Sequence, residues 1–335
     1  MSTIRDVARR AGVSVATVSR VLNKNPRVKP HLRARVERAI RELNYQPSAL
    51  ARGMRSQTAQ VLGLIVPDIQ DPFFPSLARA IEDTAHESRY SLLLCNSDED
   101  PDKELRYVEV MLTQRVAGLI LIPASADLCE ALQQSNMPLV CAVRPLPACQ
   151  VDTVLLDNEL GGRLAMEHLI ALGHRRIGLI IGFRDGSVSQ ERFDGYRAAL
   201  AAAQVPFDPE LVRYGGLAEL GGYEGTSELL TRERPPTALL VTNYHLTIGV
   251  LQAIQDAGIR MPHDLSLVSF ADMPGISAFK PSLTVVRQPI YEMGREAANL
   301  LLRHIKKEAP QSPMLVRLAP ELVVRESTGR PRAGP

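Results

Sequence analysis

Long apolar runs are missing from this 335-residue chain. No stretch contains 18 consecutive uncharged apolar residues, so we expect no helix that spans a membrane. The beginning of the chain has no apolar segment of the kind that leader peptides carry, so we expect no secretory signal. A hydrophobic share of 45% and a charged share of 23% are typical of globular proteins. The length predicts two or three folded units rather than one compact core.

Cysteine is scarce, and its spacing matches no metal motif. The four cysteines are Cys95, Cys129, Cys141 and Cys149, and no two of them form a CxxC pair. Most of them lie in or near apolar segments that are typical of strands. We therefore expect buried free thiols in a reducing cytoplasm, with a zinc site or disulfides as the alternatives.

Common catalytic signatures are also absent. The chain contains no GxxxxGKS or GxxxxGKT phosphate loop, no GxSxG elbow and no HExxH pair. The glycine cluster at residues 215–225 does not match GxGxxG, and His174 is typical of a turn residue. We therefore predict no enzyme activity, no cofactor and no metal site.

Charge is divided unevenly along the chain. Residues 1–60 contain 13 Lys and Arg against 3 Asp and Glu, whereas residues 61–335 contain 26 against 34. The formal net charge of +2 therefore combines a basic N-terminal segment with an acidic remainder. A basic segment of this density is typical of proteins that bind a polyphosphate such as double-stranded DNA.

The first 23 residues carry the pattern of two short helices. Apolar residues recur at helical spacing on one side of each helix, namely Ile4, Val7, Ala8, Ala11, Val18, Val21 and Leu22. Gly12 separates the helices, and Ser14 is placed to cap the second one near Thr17. Small and polar residues remain for its outward face, namely Val15, Ala16, Ser19, Arg20 and Asn23. The pattern predicts a helix-turn-helix, and the local charge argues against a hairpin buried in a larger core.

A third helix and a short connecting segment follow. The third helix is indicated by apolar residues at helical spacing, namely Leu32, Val36, Ala39, Ile40 and Leu43. The segment 46–58, QPSALARGMRSQT, has room for about two helical turns, which are marginal in water, and Gly53 weakens them further. It is either a conditional helix or a flexible linker.

From residue 61 onward, short apolar runs alternate with amphipathic stretches. Runs without internal alternation are typical of parallel strands that are covered on both faces. They lie at residues 61–66, 91–95, 118–122, 138–142, 153–156, 176–181, 211–214, 237–242, 265–270 and 283–286. Two consecutive series predict two doubly wound α/β lobes. Ligands of such lobes bind at the carboxyl ends of the strands, so we expect a site in the cleft between the lobes.

The segments GVSVATVSRVLN (12–23) and ELNYQPSALAR (42–52) resemble the LacI/GalR family of bacterial transcriptional regulators. The resemblance implies a helix-turn-helix headpiece, a hinge that becomes helical on operator DNA, and a core similar to periplasmic sugar-binding proteins. Family hinges usually insert a leucine into the minor groove, and Met54 stands at that position here. The resulting DNA-binding candidates are Thr3, Val15, Ala16, Thr17, Ser19, Arg20, Asn23, Met54 and Arg55.

Together, the patterns and the resemblance predict the following division of the chain. Residues 1–46 form the headpiece, 47–60 the hinge or linker, and 61–326 the two-lobed core that binds effector and dimerises. The first lobe takes about 61–158 and 288–318, and the second about 161–285 and 321–326. The polar residues 327–335 are expected to be a disordered tail.

Several polar residues follow apolar strands and are therefore candidates for the cleft. Asp71 precedes Phe73 and Phe74 in a DPFF motif that resembles the family's cleft motif, although the phenylalanines alone would also suit a core. A carboxylate beside aromatic rings suits a sugar. The other effector-binding candidates are Arg144, Arg192, Asn243, Asp272 and Gln288, each of which alone could be an ordinary loop residue. Arg192 is a candidate because its segment SVSQERFDGY (187–196) resembles the family segment whose arginine holds ligand hydroxyls.

The sequence departs from the family pattern at three of these positions. Val143, Tyr244 and Ala271 stand where the family often has Asp, whereas Arg144 and Arg192 are kept. Losing acceptors while keeping guanidinium groups favours an effector that carries its own negative charge. We therefore expect a sugar acid or sugar phosphate rather than a neutral sugar.

The sequence thus predicts a bacterial, cytoplasmic, nucleoid-associated repressor. Its expected partners are palindromic double-stranded operator DNA, a small sugar-like effector and a second copy of the chain in a homodimer or tetramer, with no membrane. A binding protein without DNA function is one alternative, which the basic headpiece argues against. An α/β enzyme is another, which no motif supports.

Overall fold

The computed structural model describes residues 3–22, 25–45, 60–125, 128, 129, 132, 135–147, 149–272, 280–310 and 312–332. The chain divides into two compact units, residues 1–59 and 60–335. In the described part of the chain, no helix is long and apolar enough to cross a membrane. Nor does that part hold a group of three His, Cys, Asp or Glu residues that could bind a metal ion.

The N-terminal unit contains three helices, α1 (Ile4–Ala11), α2 (Val15–Leu22) and α3 (Pro30–Glu42). Thr3 and Asp6 form a capping box at the start of α1, and Gly12 ends that helix in the left-handed conformation at φ 60°. The Ser14 hydroxyl accepts a hydrogen bond from the Thr17 N–H at 3.2 Å. The predicted helices, the Gly12 break and the Ser14 cap are therefore confirmed.

The segment that follows the headpiece is not described from residue 46 to residue 59. The predictions for the hinge, including Met54 and Arg55, lie outside the described residues. Asn23 lies outside them as well.

The first lobe of the second unit is built on a six-stranded parallel sheet. Its strands are β1 (Val61–Val66), β2 (Ser91–Asn96), β3 (Gly118–Leu121), β4 (Leu139–Ala142), β5 (Asp152–Leu156) and β11 (Leu315–Leu318). Their order is β11-β5-β4-β3-β1-β2. The helices of this lobe include α4 (Phe73–Glu87), α5 (Pro101–Thr113) and, from the end of the chain, α10 (Ile290–Lys306).

The second lobe repeats this architecture with one antiparallel edge strand. Its strands are β6 (Ile177–Ile181), β7 (Val212–Tyr214), β8 (Ala238–Val241), β9 (Ser266–Ser269), β10 (Thr284–Arg287) and β12 (Glu321–Val323), in the order β12-β10-β9-β8-β6-β7. Strand β12 pairs antiparallel with β10. The helices are α6 (Asn158–Ala171), α7 (Ser187–Ala202), α8 (Glu219–Leu230) and α9 (Tyr244–Asp256).

The chain passes between the lobes three times, after β5, after β10 and after β11. Each of the ten predicted apolar runs contains or overlaps a strand, and the sheets of each lobe are mostly parallel. The fold class predicted from the sequence, an all-α headpiece with a two-lobed doubly wound core, is therefore confirmed.

Two predictions from the sequence are wrong, namely that all cysteines are free thiols and that the last residues are disordered. Cys129 and Cys149 form a disulfide with a Cα–Cα distance of 5.5 Å, and only Cys95 and Cys141 are free thiols. The expected disordered tail is ordered up to Arg332, because Ser327 is buried between two strands. Its hydroxyl donates to the Leu267 carbonyl oxygen at 2.6 Å and accepts from the Thr284 N–H at 2.8 Å.

Candidate functional site

The outward face of α2 is the first candidate surface. Val15 is 37% exposed, and Ala16 and Arg20 are also exposed, while Thr17 is half-buried next to the Ser14 cap. Thr3 is exposed at the start of α1. On α2, small side chains are accessible in the first turn and one guanidinium, that of Arg20, is accessible in the last turn, an arrangement that suits a recognition helix.

Ser19 does not belong to this outward face. It is only 6% exposed, so the prediction that it faces outward is wrong. Successive side chains along a helix point about 100° apart, so Ser19 lies on the side of α2 that adjoins the buried Val18. Its small side chain fits there among the residues packed inside the headpiece.

The rest of the headpiece surface is rich in cations. The exposed ones in the described residues are Arg5, Arg9, Arg10, Arg20, Arg27, Lys29, Arg35, Arg38 and Arg41. Arg10 pairs with Glu42 at 2.6 Å, and Arg9 lies 3.5 Å from Asp6. The surface therefore keeps a large excess of positive charge, which suits a polyanionic partner.

The second candidate site is a cleft in the core unit with a volume of about 720 Å³. It lies where the strands of both lobes end, as expected for doubly wound sheets. The structure brings all eight effector-binding candidates to its walls, namely Asp71, Phe73, Phe74, Arg144, Arg192, Asn243, Asp272 and Gln288.

Arg192 is the most deeply placed charged group of the cleft. Its Nε donates to Asn158 Oδ1 at 2.9 Å, and its two terminal nitrogens donate to the Thr242 carbonyl oxygen and, at 3.4 Å, to Gln288 Oε1. The guanidinium stacks on Phe270 with 4.1 Å to the ring centroid. Burial lowers the pKa of Arg192. Since its hydrogen-bond acceptors are neutral, this buried cation favours an additional acceptor from a ligand.

Asp71 supplies a carboxylate at the same end of the cleft. One of its oxygens accepts from the Phe73 N–H at 2.9 Å, and within the described residues the other oxygen has no hydrogen-bond partner. Burial raises the pKa of Asp71, and the nearby positive charge of Arg192 opposes that shift. The rings of Phe73 and Phe74 meet edge to face beside it, and only Phe74 belongs fully to the core.

Arg144 is already paired in this structure. Its two terminal nitrogens donate to the two oxygens of Glu99 at 2.7 and 2.6 Å. Val143 directly before it has φ 68°, a strained conformation for a β-branched residue. Because Glu99 neutralises Arg144, the expectation of an acidic effector loses the support of that arginine.

The remaining candidates hold the cleft together as well as lining it. Asn243 caps α9 by accepting from the Leu246 N–H at 2.8 Å, and the Gln288 amide donates to the Phe270 carbonyl oxygen at 3.0 Å. Both oxygens of Asp272 are occupied, one by Arg287 at 2.7 Å and one by Arg325 at 2.8 Å. Asp272 therefore acts first as a structural anchor of its own lobe.

The lining residues that sequence reasoning did not select include Asp68, Glu99, Phe183, His245 and Phe270. Asp68 and His245 come from different lobes, and His245 Nε2 lies 2.9 Å from Asp68 Oδ2. Three of them could have been predicted from their position in the sequence, because Asp68, Glu99 and Phe183 each come within three residues of the end of a strand.

Comparison with known proteins identifies the family. Residues 3–48 match the bacterial regulatory proteins of the lacI family, and residues 166–328 match a periplasmic binding protein-like domain. The HTH-type transcriptional repressor PurR of Haemophilus influenzae (strain PittEE) is 34% identical over 337 residues, which cover 98% of each chain. This chain belongs to the lacI family.

Other members of the lacI family agree with this assignment. The HTH-type transcriptional regulator GalR of Salmonella typhimurium (strain SL1344) is 37% identical over 336 residues, with 99% and 97% of the two chains covered. The Lac repressor dimer bound to operator and the anti-inducer ONPF superposes with a TM-score of 0.86 at 29% identity, covering 98% and 99%. The CelR–cellobiose complex gives 0.75 at 33% identity, covering 98% and 100%. These relatives are transcriptional regulators, not enzymes.

Proposed function

We propose that this lacI-family protein is a repressor that binds a palindromic operator as a homodimer and is controlled by a neutral sugar in its cleft. The main observation in support of this proposal is that one chain joins a strongly basic helix-turn-helix unit to a two-lobed core with a polar, aromatic cleft. Such a regulator acts where the DNA is, so we place it in the bacterial cytoplasm at the nucleoid.

The chemistry of the cleft supports a neutral sugar. Arg192 offers buried donors, and Asp71 offers an oxygen that accepts hydroxyl protons, so their charges balance. Phe73 supplies an apolar surface for the carbon skeleton. Arg144, on which the expectation of an acidic effector relied, is already paired with Glu99 and so does not favour a carboxylate or phosphate.

The arrangement also supports a route from sugar to DNA. Asp71 belongs to the first lobe and Arg192 to the second, so a sugar that binds both stabilises one relative position of the lobes. Coupling between two sites in such regulators is typically about 1–3 kcal/mol. We expect the sugar to change operator affinity by a factor that corresponds to this range.

The test begins with DNA selected by the purified full-length protein from a random double-stranded library. We expect an enriched palindrome whose affinity falls steeply with salt. A dimer that neutralises about 6–10 phosphates gives a log–log slope of about −5 to −9. A panel of neutral sugars, sugar acids and sugar phosphates is then added to the complex. Absence of an enriched site, or a flat salt response, contradicts the DNA-binding proposal, and a response to acidic compounds alone contradicts the neutral sugar.

A further inference from the structure

Phe183 is an exposed aromatic side chain at the mouth of the cleft. It lies two residues after β6 and is 54% exposed, more than any other phenylalanine in the described part of the chain. Arg192, on α7 of the same lobe, is buried. The cleft thus runs from a closed end at Arg192 to an open end at Phe183.

The ring of Phe183 is held in place from one side. Gly216 has φ 63°, and a Cβ atom added there would lie 3.3 Å from the edge of the Phe183 ring. The ring therefore rests against a glycine that leaves room for it. Among the described residues, no aromatic ring or cation stacks on it.

Phe207 is the other exposed phenylalanine in the described residues, and neighbouring side chains cover its ring. It is 39% exposed, but its ring packs edge to face on Phe193 at 5.9 Å and on Tyr196 at 6.4 Å. The guanidinium of Arg197 lies 5.4 Å from the same ring. Phe183 lacks such cover in the described structure, which singles it out as a surface for a ligand.

Polar groups flank the Phe183 ring. Arg184 and Asp185 follow it directly and are exposed, and the Arg184 guanidinium is steadied by stacking on Tyr214 at 4.2 Å. Ser187 and Ser189, in the first turn of α7, line the cleft as well. An apolar ring between a donor, an acceptor and hydroxyls matches a sugar, which has an apolar C–H face and a polar rim.

The cleft has room for more than one sugar ring. Its volume of about 720 Å³ lies well within the range of sites that enclose drug-sized ligands. This space exists although Asp68 and His245 already connect the two lobes at 2.9 Å, so it does not result from fully separated lobes. One ring bound between Asp71 and Arg192 would leave the Phe183 end unfilled.

We propose that the effector is a disaccharide whose first ring binds at Asp71 and Arg192 and whose second ring stacks on Phe183. This inference rests on the proposed sugar-controlled function and adds the size of the ligand and the residue that selects it. Phe183 is then a specificity-determining residue: it contacts the second ring and makes no contact with a monosaccharide.

The test is calorimetry on the full-length protein with D-glucose, D-galactose and D-ribose against cellobiose, maltose, lactose and melibiose. We expect at least one disaccharide to bind at least about ten-fold more tightly than its constituent monosaccharides. Phe183→Ala should weaken that disaccharide about five- to ten-fold, as expected for a lost stacking contact. It should leave monosaccharide affinity within about two-fold, and Phe183→Tyr should keep the disaccharide preference.

The control variant is Phe207→Ala, which removes an exposed ring away from the cleft and should not change the preference. Operator binding of each variant verifies its folding. If monosaccharides bind as tightly as every disaccharide, or if Phe183→Ala weakens both classes equally, the disaccharide proposal is overturned while the sugar-controlled function stands. If no sugar binds a protein that still binds its operator, both are overturned.

Discussion

Among single residues, Arg20 is the one from which we expect base recognition. It is exposed on α2, and arginine can donate two hydrogen bonds to one guanine. Arg20→Ala should weaken binding to the selected operator by about 1–3 kcal/mol and relax the preference at one base pair per half-site. Arg41→Ala, which removes an exposed cation from α3, is the control and should affect all sequences alike. Equal losses on all sequences for Arg20→Ala would reduce Arg20 to a phosphate contact.

Glu104 is a buried carboxyl group under the wall of the cleft. It is fully buried on α5, and its carboxylate accepts from the Ala124 N–H at 2.9 Å. Burial raises the pKa of Glu104 to about 7. In the unfolded chain its pKa is about 4.3. The folded protein therefore binds more protons than the unfolded chain between these values, and stability falls as pH rises through this window.

Glu104→Gln removes this titration and keeps an acceptor for the Ala124 N–H. We expect the variant to match the wild type near pH 5 and to be more stable by about 1–3 kcal/mol near pH 8. Denaturant unfolding across pH 5–8 measures the difference. Glu109→Gln, at an exposed position of the same helix, should leave the slope unchanged. Parallel pH profiles for Glu104→Gln and the wild type would contradict the assignment.

For single residues, sequence patterns predicted which side chains reach the cleft but not which side chains pair there. The cleft candidates were predicted from their position after apolar strands or from family-like segments such as that of Arg192, and the structure places all of them at one cleft. The pairing of Arg144 with Glu99 was not predictable, because the two residues are 45 positions apart. It further depends on loop conformations with positive φ at both Glu99 and Val143.

Among the elements, two pairs of helices in the second lobe pack closely against each other at glycine residues. A Cβ atom at Gly195 on α7 would lie 2.1 Å from the carbonyl oxygen of Glu159 on α6. At Gly249 on α9 it would lie 1.8 Å from the carbonyl oxygen of Glu219 on α8. Only glycine permits these backbone distances, so the glycine-rich segment around 215–225 serves helix packing rather than phosphate binding.

Gly195→Ala should separate α6 from α7 and displace Arg192, which lies three residues earlier on α7. We expect a loss of about 1–3 kcal/mol of unfolding free energy, typical of overpacking, together with weaker sugar binding. Gly186→Ala is the matched control for stability, since its nearest atom would be at 3.5 Å, an ordinary contact. Equal stabilities of the two variants, measured by denaturant unfolding, would contradict the role of the glycine contact.

Strands could be predicted where they form continuous apolar runs. The interior strands are continuous apolar runs, as β3 and β8 illustrate, and the sequence located them within one or two residues. Strands β11 and β12 were not predicted, because they lie at sheet edges and carry the charged residues Arg317 and Glu321. Edge strands expose one side to water, so their composition resembles that of loops.

In the core unit as a whole, the contact between Asp68 and His245 connects the two lobes across the cleft. His245→Ala should weaken this connection by about 0.5–1.5 kcal/mol, the usual net value of one hydrogen bond, and lower sugar affinity two- to twelve-fold. Small-angle scattering should show a more extended sugar-free protein that becomes more compact when sugar binds. His263→Ala, at an exposed position, is the control. Unchanged scattering and affinity would contradict the role of this contact.

Distant contacts explain the two errors at this scale. The disulfide joins Cys129, before β4 in the sequence, to Cys149, after it. The spacing of cysteines along the chain does not reveal that two residues 20 positions apart form a pair. The last residues contain no apolar run, yet they are bound by polar contacts. The carbonyl oxygen of Gly329 lies 2.9 Å from Nε2 of the buried His174. A residue expected to be part of a turn is thus an attachment point for the end of the chain.

The connection between Asp68 and His245 also affects how fast the protein responds. With the lobes already joined at one point, we expect a sugar to reach the inner site at Asp71 and Arg192 when this contact opens, so opening can limit the rate of binding. The observed association rate should then level off as sugar concentration rises, instead of increasing without limit. The contact between the lobes would thus set an upper limit on the speed with which the regulator takes up its sugar.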